Sequence, residues 1–280
     1  MELKKDDIIT AEITDMGSDG DGIGKIDGFP VFIKDAVKGD RVSAKITKAK
    51  KNMAYGRMIE ILKPSELRTE PRCREARRCG GCQIQALAYE AQLSYKRDKV
   101  YNSLLRIAGI PAKELDLAEE APEGMEEPWR YRNKAQYPIG TDKEGRIVAG
   151  FYASRTHDII PCEDCVLAPA EYAKILRCIM NIMIQCHIEP YDEKTQQGVI
   201  RHVMIRKAMY SGQLMVCIIS AKKKLPAQDE FVNSLIGIPG LKTIILNVNP
   251  ENTNVIMGKE NIVLYGDGYI TDELGGMKFR

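Results

Sequence analysis

The 280-residue chain contains few aromatic residues and only three histidines, and its charges nearly cancel. Aromatic residues make up 6% of the chain and the formal net charge is +2, so global charge does not indicate a nucleic-acid-binding protein. The histidines, His157, His187 and His202, lie in a loop, at a predicted helix end and in a predicted strand. The sequence contains no convincing nucleophile–base pair of the kind used in covalent catalysis.

Long apolar runs are also missing. No run approaches the roughly 18–20 residues that span a bilayer. The opening MELKKDD lacks the apolar core and cleavage site of a signal peptide. We therefore expect no membrane association and a cytoplasmic location. In that reducing compartment, eight cysteines more often indicate metal binding or chemistry than disulfides.

The length and pattern predict two domains, residues 1–63 and residues 64–280, of an α+β protein. Residues 7–62 alternate apolar and polar side chains between frequent glycine turns, with a strong hairpin signal at Asp27-Gly28. Five short strands in this stretch predict a small closed barrel of the OB-like kind. Barrels of this size often bind oligonucleotides, although the fold alone does not establish a function.

Residues 64–280 predict a mixed α+β domain. A helix is expected at about 87–108 and a second at about 168–186, each with apolar residues at helical spacing. The first stripe contains Leu93, Val100, Leu104 and Ile107. The second, which we interpret as core, contains Tyr172, Ile175, Leu176, Ile179, Ile182 and Met183. No glycine-rich strand–turn–helix unit typical of dinucleotide binding is present.

Three cysteines form the most informative motif. Cys73, Cys79 and Cys82 have the spacing C-x5-C-x2-C, and Gly80-Gly81 between the last two allows the backbone to curl so that thiolates converge. Iron–sulfur clusters and structural zinc both take four such ligands, so a fourth must come from elsewhere. A triplet with a distant partner favours iron–sulfur over zinc, and a redox dithiol is the weakest alternative.

Five cysteines remain as candidates for the fourth ligand. Cys162 and Cys165 lie in a predicted loop, which is a suitable context for a ligand. The other three, Cys178, Cys186 and Cys217, lie on or beside an apolar helix and in an apolar strand, so we interpret them as buried core thiols. From spacing alone, Cys162 and Cys165 stay equivalent.

The order of motifs adds a family resemblance. The segments ITDMGSDGDGIGKIDGFPVFIKDAVKGDRV and NMAYGRMIEIL resemble a TRAM domain, a small RNA-binding β-barrel. The segments CREARRCGGCQIQALAYEAQLSYKRDKV, WRYRNKAQYPIG and GFYASRTHDIIPCEDCVL follow in that order. Together they resemble the N-terminal part of bacterial RNA (uracil-5-)-methyltransferases, in particular the 23S ribosomal RNA enzymes.

This resemblance implies a 4Fe-4S cluster with the ligands Cys73, Cys79, Cys82 and Cys165. Cys165 is preferred because the family's fourth cysteine directly precedes an apolar pair, here Val166-Leu167. In the family, a methyl group moves from S-adenosylmethionine to carbon 5 of uracil. The groups that catalyse this step lie in a C-terminal Rossmann-like domain. That domain is expected to be absent from this chain, so we predict that the chain alone does not methylate.

The resemblance also implies an RNA partner, expected to be ribosomal RNA, for a chain expected to be monomeric. Two sets of residues are candidate RNA contacts. One is a stretch without acidic residues on the barrel, Lys48, Lys50, Lys51 and Arg57; the other is the WRYRNK segment, with Trp129, Arg130, Tyr131, Arg132 and Lys134. Solvated surface charge and a core tryptophan are the plainer alternatives. The rival functions are a non-catalytic RNA-binding module with structural zinc and a small electron-transfer protein.

Overall fold

The computed structural model describes residues 3–115 and 122–280. The chain divides into two compact units, and neither is a single continuous stretch. The first comprises Met1–Arg77 and Cys82–Glu126, and the second comprises Arg78–Gly81 and Glu127–Arg280. The acidic residues at 116–121 lie outside the described residues.

The first unit contains the predicted five-stranded barrel. Its strands are β1 (Ile8–Met16), β2 (Gly22–Ile26), β3 (Phe29–Lys34), β4 (Arg41–Ala49) and β5 (Ala54–Lys63), and they close in the order β1-β2-β3-β5-β4. The alternation of apolar and polar side chains along each strand fills the barrel interior. In β4, for example, Val42, Ala44 and Ile46 point inward and are fully buried.

The hairpin between β2 and β3 confirms the prediction at Asp27-Gly28. Both residues have positive φ, 49° and 82°. Two positive φ angles in a two-residue loop are typical of the turn whose twist matches the flanking strands. A side chain at residue 28 would be strained, which is why glycine suits this position.

A long helix, α1 (Tyr89–Arg106), completes the regular structure of the first unit, and a short 3-10 helix follows at Ala112–Glu114. All of α1 lies in the described residues, and none of its side chains is buried. The predicted apolar stripe is therefore not a core stripe: Val100 is 60% exposed and Ile107, just past the helix, is 85% exposed. Periodicity places these residues on one face, but nothing in the pattern requires that face to be covered.

The second unit is built on a seven-stranded sheet in the order β12-β11-β10-β9-β6-β7-β8. The pair β10 and β11 is parallel and the other neighbours are antiparallel. The strands are β6 (Lys134–Thr141), β7 (Ile147–Tyr152), β8 (Ile159–Pro161), β9 (Ile200–Lys207), β10 (Leu214–Ser220), β11 (Leu241–Val248) and β12 (Glu260–Tyr265). A separate hairpin joins β13 (Asp272–Leu274) to β14 (Met277–Phe279).

Two helices, α2 (Glu171–Gln185) and α3 (Gln228–Leu235), cover one face of this sheet. The stripe predicted for α2 is confirmed, since all six of its residues are buried in the main core. They pack against sheet residues such as Tyr137, Val203 and Ile218. In the described residues, no helix has both the length and the apolar content needed to cross a bilayer.

Candidate functional site

The cysteine motif lies in turns rather than in a helix or strand, and its three cysteines are half-buried. In the first unit, the N–H of Ala76 donates to the carbonyl of Cys73 at 3.1 Å and closes a tight turn. The N–H of Cys73 in turn donates to the side-chain oxygen of Gln85 at 3.3 Å. These bonds fix the start of the motif without using a thiol.

The middle of the motif belongs to the second unit and sits on its edge. Cys79 pairs with Ala153 through an isolated β-bridge, and the N–H of Gly80 donates to the carbonyl of Tyr152 at 2.9 Å. A Cβ at Gly80 would lie 2.9 Å from that carbonyl oxygen and 3.0 Å from the nitrogen of Ser154. Only glycine permits this close approach of two backbones.

One backbone donor is directed at the sulfur of Cys79. The N–H of Gly81 donates to its sulfur at 3.4 Å. A donor aimed at a sulfur stabilises negative charge on it, as N–H groups do around cluster-bound thiolates. The two glycines of the motif thus have different roles, one permitting a contact and the other supplying a donor.

Cys162 and Cys165 follow β8 in a loop of the second unit. Cys162 is buried and Cys165 is half-buried. A hydrogen bond from the Cys162 thiol, N–H groups of Leu167 and Ala168, and the charge of Arg132 together outweigh burial and lower the pKa of Cys165 to about 6. These contacts favour the thiolate of Cys165, the form that binds a metal.

Arg130 holds the Cys165 loop in place. Its guanidinium donates to both carboxylate oxygens of Asp164 and to the carbonyls of Cys165 and Ala168, at 3.0 and 2.9 Å. The backbone N–H of Arg130 donates to the carbonyl of Val166 at 3.0 Å. A residue predicted to meet phosphate is therefore engaged within the protein.

The other cysteines separate by burial. Cys217 is 1% exposed, and burial raises its pKa to about 12, so it is a neutral core thiol as predicted. Cys178 is half-buried and packs against the main core. The prediction for Cys186 was wrong, because this residue is exposed at the C-terminal end of α2. The last buried residue of the helix is Met183.

The chemistry of the predicted ligands fits a metal centre, but the described residues do not form a closed one. No group of three or more His, Cys, Asp or Glu side chains in residues 3–115 and 122–280 is placed to hold a metal ion. Cys73 and Cys82 belong to the first unit, and Cys79 and Cys165 belong to the second. The four-cysteine cluster consequently stays a proposal.

The barrel carries exposed basic residues and an aromatic pair. Lys48, Lys50, Lys51 and Arg57, the predicted RNA contacts, are all exposed. The rings of Phe32 and Tyr55 stack with centroids 5.7 Å apart, and the ammonium of Lys50 lies 5.4 Å from the Tyr55 ring centroid. We call these six residues the barrel surface.

Sequence reasoning missed Phe32 and Tyr55, although a signal was present. Phe32 lies between Val31 and Ile33, which are fully buried, so alternation places its ring outside the barrel. The pairing of Phe32 with Tyr55 across β3 and β5 is a parallel register that the sequence does not reveal.

The remaining predicted RNA contacts lie in the second unit, just before and at the start of β6. Tyr131 is 47% exposed and Lys134 is exposed, whereas Trp129 and Arg132 are half-buried. The N–H of Arg132 donates to the carbonyl of Leu167 at 2.9 Å. This segment is thus joined to the Cys165 loop by backbone as well as by Arg130.

Comparison with known proteins identifies the barrel. Residues 4–59 match the TRAM domain family, and the five-stranded barrel occupies these residues, so the predicted TRAM barrel is confirmed. The chain is 42% identical over 278 residues to an uncharacterized RNA methyltransferase of Clostridium tetani, covering 99% of this chain and 59% of that protein. A second, from Halalkalibacterium halodurans, is 39% identical over 278 residues, with 99% and 60% covered. The chain therefore spans about 60% of the length of these relatives.

The fold resembles a solved structure over most of the chain. It superposes on the crystal structure of Pyrococcus abyssi tRNA (uracil-54, C5)-methyltransferase in complex with S-adenosyl-L-homocysteine with a TM-score of 0.70. The match covers 96% of this chain and 58% of that one at 20% identity. At that identity the likeness concerns the fold: a TRAM barrel followed by a mixed α+β unit.

Proposed function

We propose that these 280 residues are the RNA-binding part of an S-adenosylmethionine-dependent enzyme that methylates carbon 5 of a uracil in RNA. The observation that carries this proposal is the similarity, over 99% of the chain, to proteins named as RNA methyltransferases. The TRAM barrel and its basic surface support it independently. We take 23S ribosomal RNA as the substrate on the resemblance of the cysteine segment.

Methyl transfer is proposed for the whole protein, since this chain spans about 60% of the relatives' length. The uracil must leave its stack to reach any methylating centre, because carbon 5 is not accessible to such chemistry inside a folded RNA. The expectation that this chain alone transfers no methyl group stays a prediction. Incorporation of labelled methyl from S-adenosylmethionine into RNA by this chain would contradict it.

The barrel surface is the proposed RNA contact. Lysines and arginine at its border neutralise phosphates, and the Phe32–Tyr55 pair offers a face on which a base can stack. Stacking on an aromatic ring contributes about 1–3 kcal/mol per base and requires no particular base. The barrel surface is therefore suited to hold an unpaired strand with little sequence preference.

The cluster proposal assigns Cys73, Cys79, Cys82 and Cys165 to one 4Fe-4S centre. The lowered pKa of Cys165 and the N–H donor on Cys79 support it, because both favour the thiolate that a cluster requires. When bound, the cluster would supply a covalent crosslink among these residues. The protein's own contribution is to orient the Cys165 loop through Arg130.

RNA binding tests the first part of the proposal. The chain should bind single-stranded uracil-containing RNA, and the logarithm of the association constant should fall linearly with the logarithm of salt concentration. Replacing Phe32 and Tyr55 together by leucine should weaken binding about tenfold or more without changing that slope. Tyr210→Leu is the matched control, because Tyr210 is 74% exposed in the second unit. Absence of RNA binding by the unaltered chain would reject the proposal.

Metal content tests the cluster. Protein purified without oxygen should be brown and contain about four iron atoms per chain. Cys165→Ser should lose the iron and Cys162→Ser should retain it. The opposite pattern would overturn the ligand assignment, and a colourless protein with one zinc would favour the non-catalytic zinc module instead.

The substrate is tested in the organism that carries the gene. Deleting the gene should remove one or more 5-methyluridines from 23S ribosomal RNA and leave transfer RNA unchanged. Loss from transfer RNA alone would keep the reaction and reject the ribosomal substrate. Unchanged 5-methyluridine in both RNAs would reject the reaction.

A further inference from the structure

The first unit contains a cavity of about 470 Å³ beside the end of β1 and the inner face of α1. This volume falls within the roughly 300–1,000 Å³ typical of small-molecule sites. Leu67, Leu87, Ile23 and Ala91 provide its apolar lining, and Leu87 is itself 2% exposed. The cavity is separate from the cysteine motif and from every residue predicted to contact RNA.

Two polar contacts hold the cavity open between the barrel and the helix. The Tyr95 hydroxyl donates to the carbonyl of Gly17 at 2.6 Å, and the Lys99 ammonium donates to the carbonyl of Ser18 at 2.8 Å. Both acceptors lie in the turn after β1. The helix is thus fixed to the turn at points, rather than packed on it along a face, and the space between stays accessible.

The rim combines cations with groups that read a base edge. Lys38, Lys99 and Arg106 contribute positive charge. Asn102 and Asp98 also line the cavity, and the Asn102 amide nitrogen donates to the carbonyl of Asp98 at 2.7 Å. The side-chain oxygens of the two residues remain as acceptors for the polar edge of a nucleobase. An apolar lining, a polar edge and a cationic rim correspond to the base, its donors and acceptors, and the phosphate of a nucleotide.

Two of the rim cations are available to a ligand. Within residues 3–115 and 122–280, neither Lys38 nor Arg106 makes an ion pair or a side-chain hydrogen bond, and both are exposed. Two acidic residues, Asp15 and Asp98, also line the cavity, and Asp98 pairs with Arg97 at 3.1 Å. Against the three cations Lys38, Lys99 and Arg106, these two carboxylates leave the lining with a small excess of positive charge, which suits a phosphate.

We propose that this cavity binds one unpaired nucleotide of the RNA, its base against Leu67 and its phosphate at Lys38 and Arg106. The proposal rests on the proposed function. It deepens it by naming the substrate form, because a paired base cannot enter a cavity while it remains in its duplex. Gly17 connects this site to the barrel surface: it lines the cavity, and a Cβ on it would lie 3.3 Å from the Phe32 ring. A strand stacked on Phe32 can therefore place a neighbouring nucleotide in the cavity.

The test compares variants of the full chain that differ only at the rim or lining. Lys38→Gln and Arg106→Gln remove the two available cations, and Ala91→Leu narrows the lining. Lys96→Gln is the matched control, since it removes an exposed charge from the same helix outside the cavity. Thermal unfolding of each variant verifies that the fold is intact.

The probes are a single-stranded RNA containing 2-aminopurine, its blunt duplex, and AMP. The single strand should bind, with a change in 2-aminopurine fluorescence that the duplex does not give. Arg106→Gln and Lys38→Gln should each weaken single-strand binding about fivefold and lower the salt slope by about 0.7, the value for one phosphate contact. Ala91→Leu should remove the fluorescence change, and Lys96→Gln should alter binding less than about twofold.

Each outcome decides between distinct possibilities. Equal effects of Lys96→Gln and Arg106→Gln would mean that only general charge matters, and would overturn the cavity assignment. Binding of AMP with the same sensitivity to the variants, but none in RNA, would identify a free nucleotide as the ligand and reject an RNA nucleotide. RNA binding that no cavity variant changes would reject the cavity alone, whereas no RNA binding by the unaltered chain would reject the proposed function.

Discussion

The helices α1 and α2 have similar lengths, 18 and 15 residues, and both carry apolar residues at helical spacing, yet they are attached in different ways. Seven side chains of α2 are buried, and six of them belong to the core formed with the sheet of the second unit. None of the side chains of α1, a helix described in full, is buried. Hydrogen bonds hold α1 instead: Tyr95 and Lys99 bind the turn after β1, and the N–H of Ala88 donates to Leu67 at 2.8 Å.

The difference shows what each helix contributes. Burial of apolar side chains from α2 stabilises the second unit, and these side chains are not accessible to a ligand. A few hydrogen bonds position α1 without burying any of its side chains, and a cavity remains along the helix. The comparison predicts that the stability of α2 falls when side-chain volume is removed from its buried face. The stability of α1 should fall instead when hydrogen bonds or charges are removed.

The largest expected effect comes from truncating a core side chain of α2. Ile179 is fully buried, so Ile179→Ala should lower the free energy of unfolding by about 3 kcal/mol. The matched change in α1, Val100→Ala, should alter it by less than about 0.5 kcal/mol because Val100 is 60% exposed. Urea unfolding followed by circular dichroism measures both. Similar decreases in the free energy of unfolding for the two variants would contradict the proposed difference between the helices.

A smaller effect is expected from the buried ion pair between Asp40 and Arg68, near the start of α1 in the chain. Asp40 is buried, accepts N–H bonds from Val37 and Ser65 at 2.7 and 2.9 Å, and pairs with Arg68 at 3.0 Å. The backbone of Arg68 also forms an isolated antiparallel β-bridge with Leu87, close to the start of α1. Asp40→Asn should lower the free energy of unfolding by about 2 kcal/mol at pH 7, since charge-assisted hydrogen bonds are lost.

This variant also has a defined pH dependence. Burial alone would raise the pKa of Asp40, but the hydrogen bonds from Arg68, Val37 and Ser65 outweigh it and hold the pKa below 3.8. A depressed folded-state pKa contributes stability above pH 3.8, and that stability is lost as pH falls through the folded value. The difference between wild type and Asp40→Asn should therefore shrink below about pH 3.8. A difference that is constant from pH 7 to pH 2 would contradict the ion pair.

The smallest effect tests one contact of α1. Tyr95→Phe removes the hydroxyl that donates to Gly17 and should cost about 1 kcal/mol. Amide hydrogen exchange in α1 should accelerate, while exchange in α2 should stay unchanged. Tyr101→Phe is the control, because among the described residues its hydroxyl has no hydrogen-bond partner. Faster exchange in α2 would show that the two helices open together.

Local patterns predicted much of the fold. Alternation in residues 7–62 predicted the barrel, and two positive-φ residues at Asp27-Gly28 confirmed its hairpin. Both helices were placed within three residues at each end of Tyr89–Arg106 and Glu171–Gln185. These features depend on neighbours in sequence, which the sequence displays directly.

The site depended on information that is not local. Alternation shows that Phe32 points outward, but only the register of β3 against β5 places it beside Tyr55. Helical spacing grouped the residues of α1, but whether another element covers them is decided by the tertiary fold. The preference for Cys165 over Cys162 came from a resemblance and not from the spacing of the cysteines.

The placement of Arg78–Gly81 has a consequence for the time course of synthesis. These four residues belong to the second unit, although the chain on both sides belongs to the first. Cys79 takes its backbone partner from Ala153, just past β7, so it leaves the ribosome well before that partner exists. A nascent chain that stops short of Ala153 lacks the backbone bridge between Cys79 and that residue. The bridge at the middle of the motif therefore forms only after β7 has been synthesised.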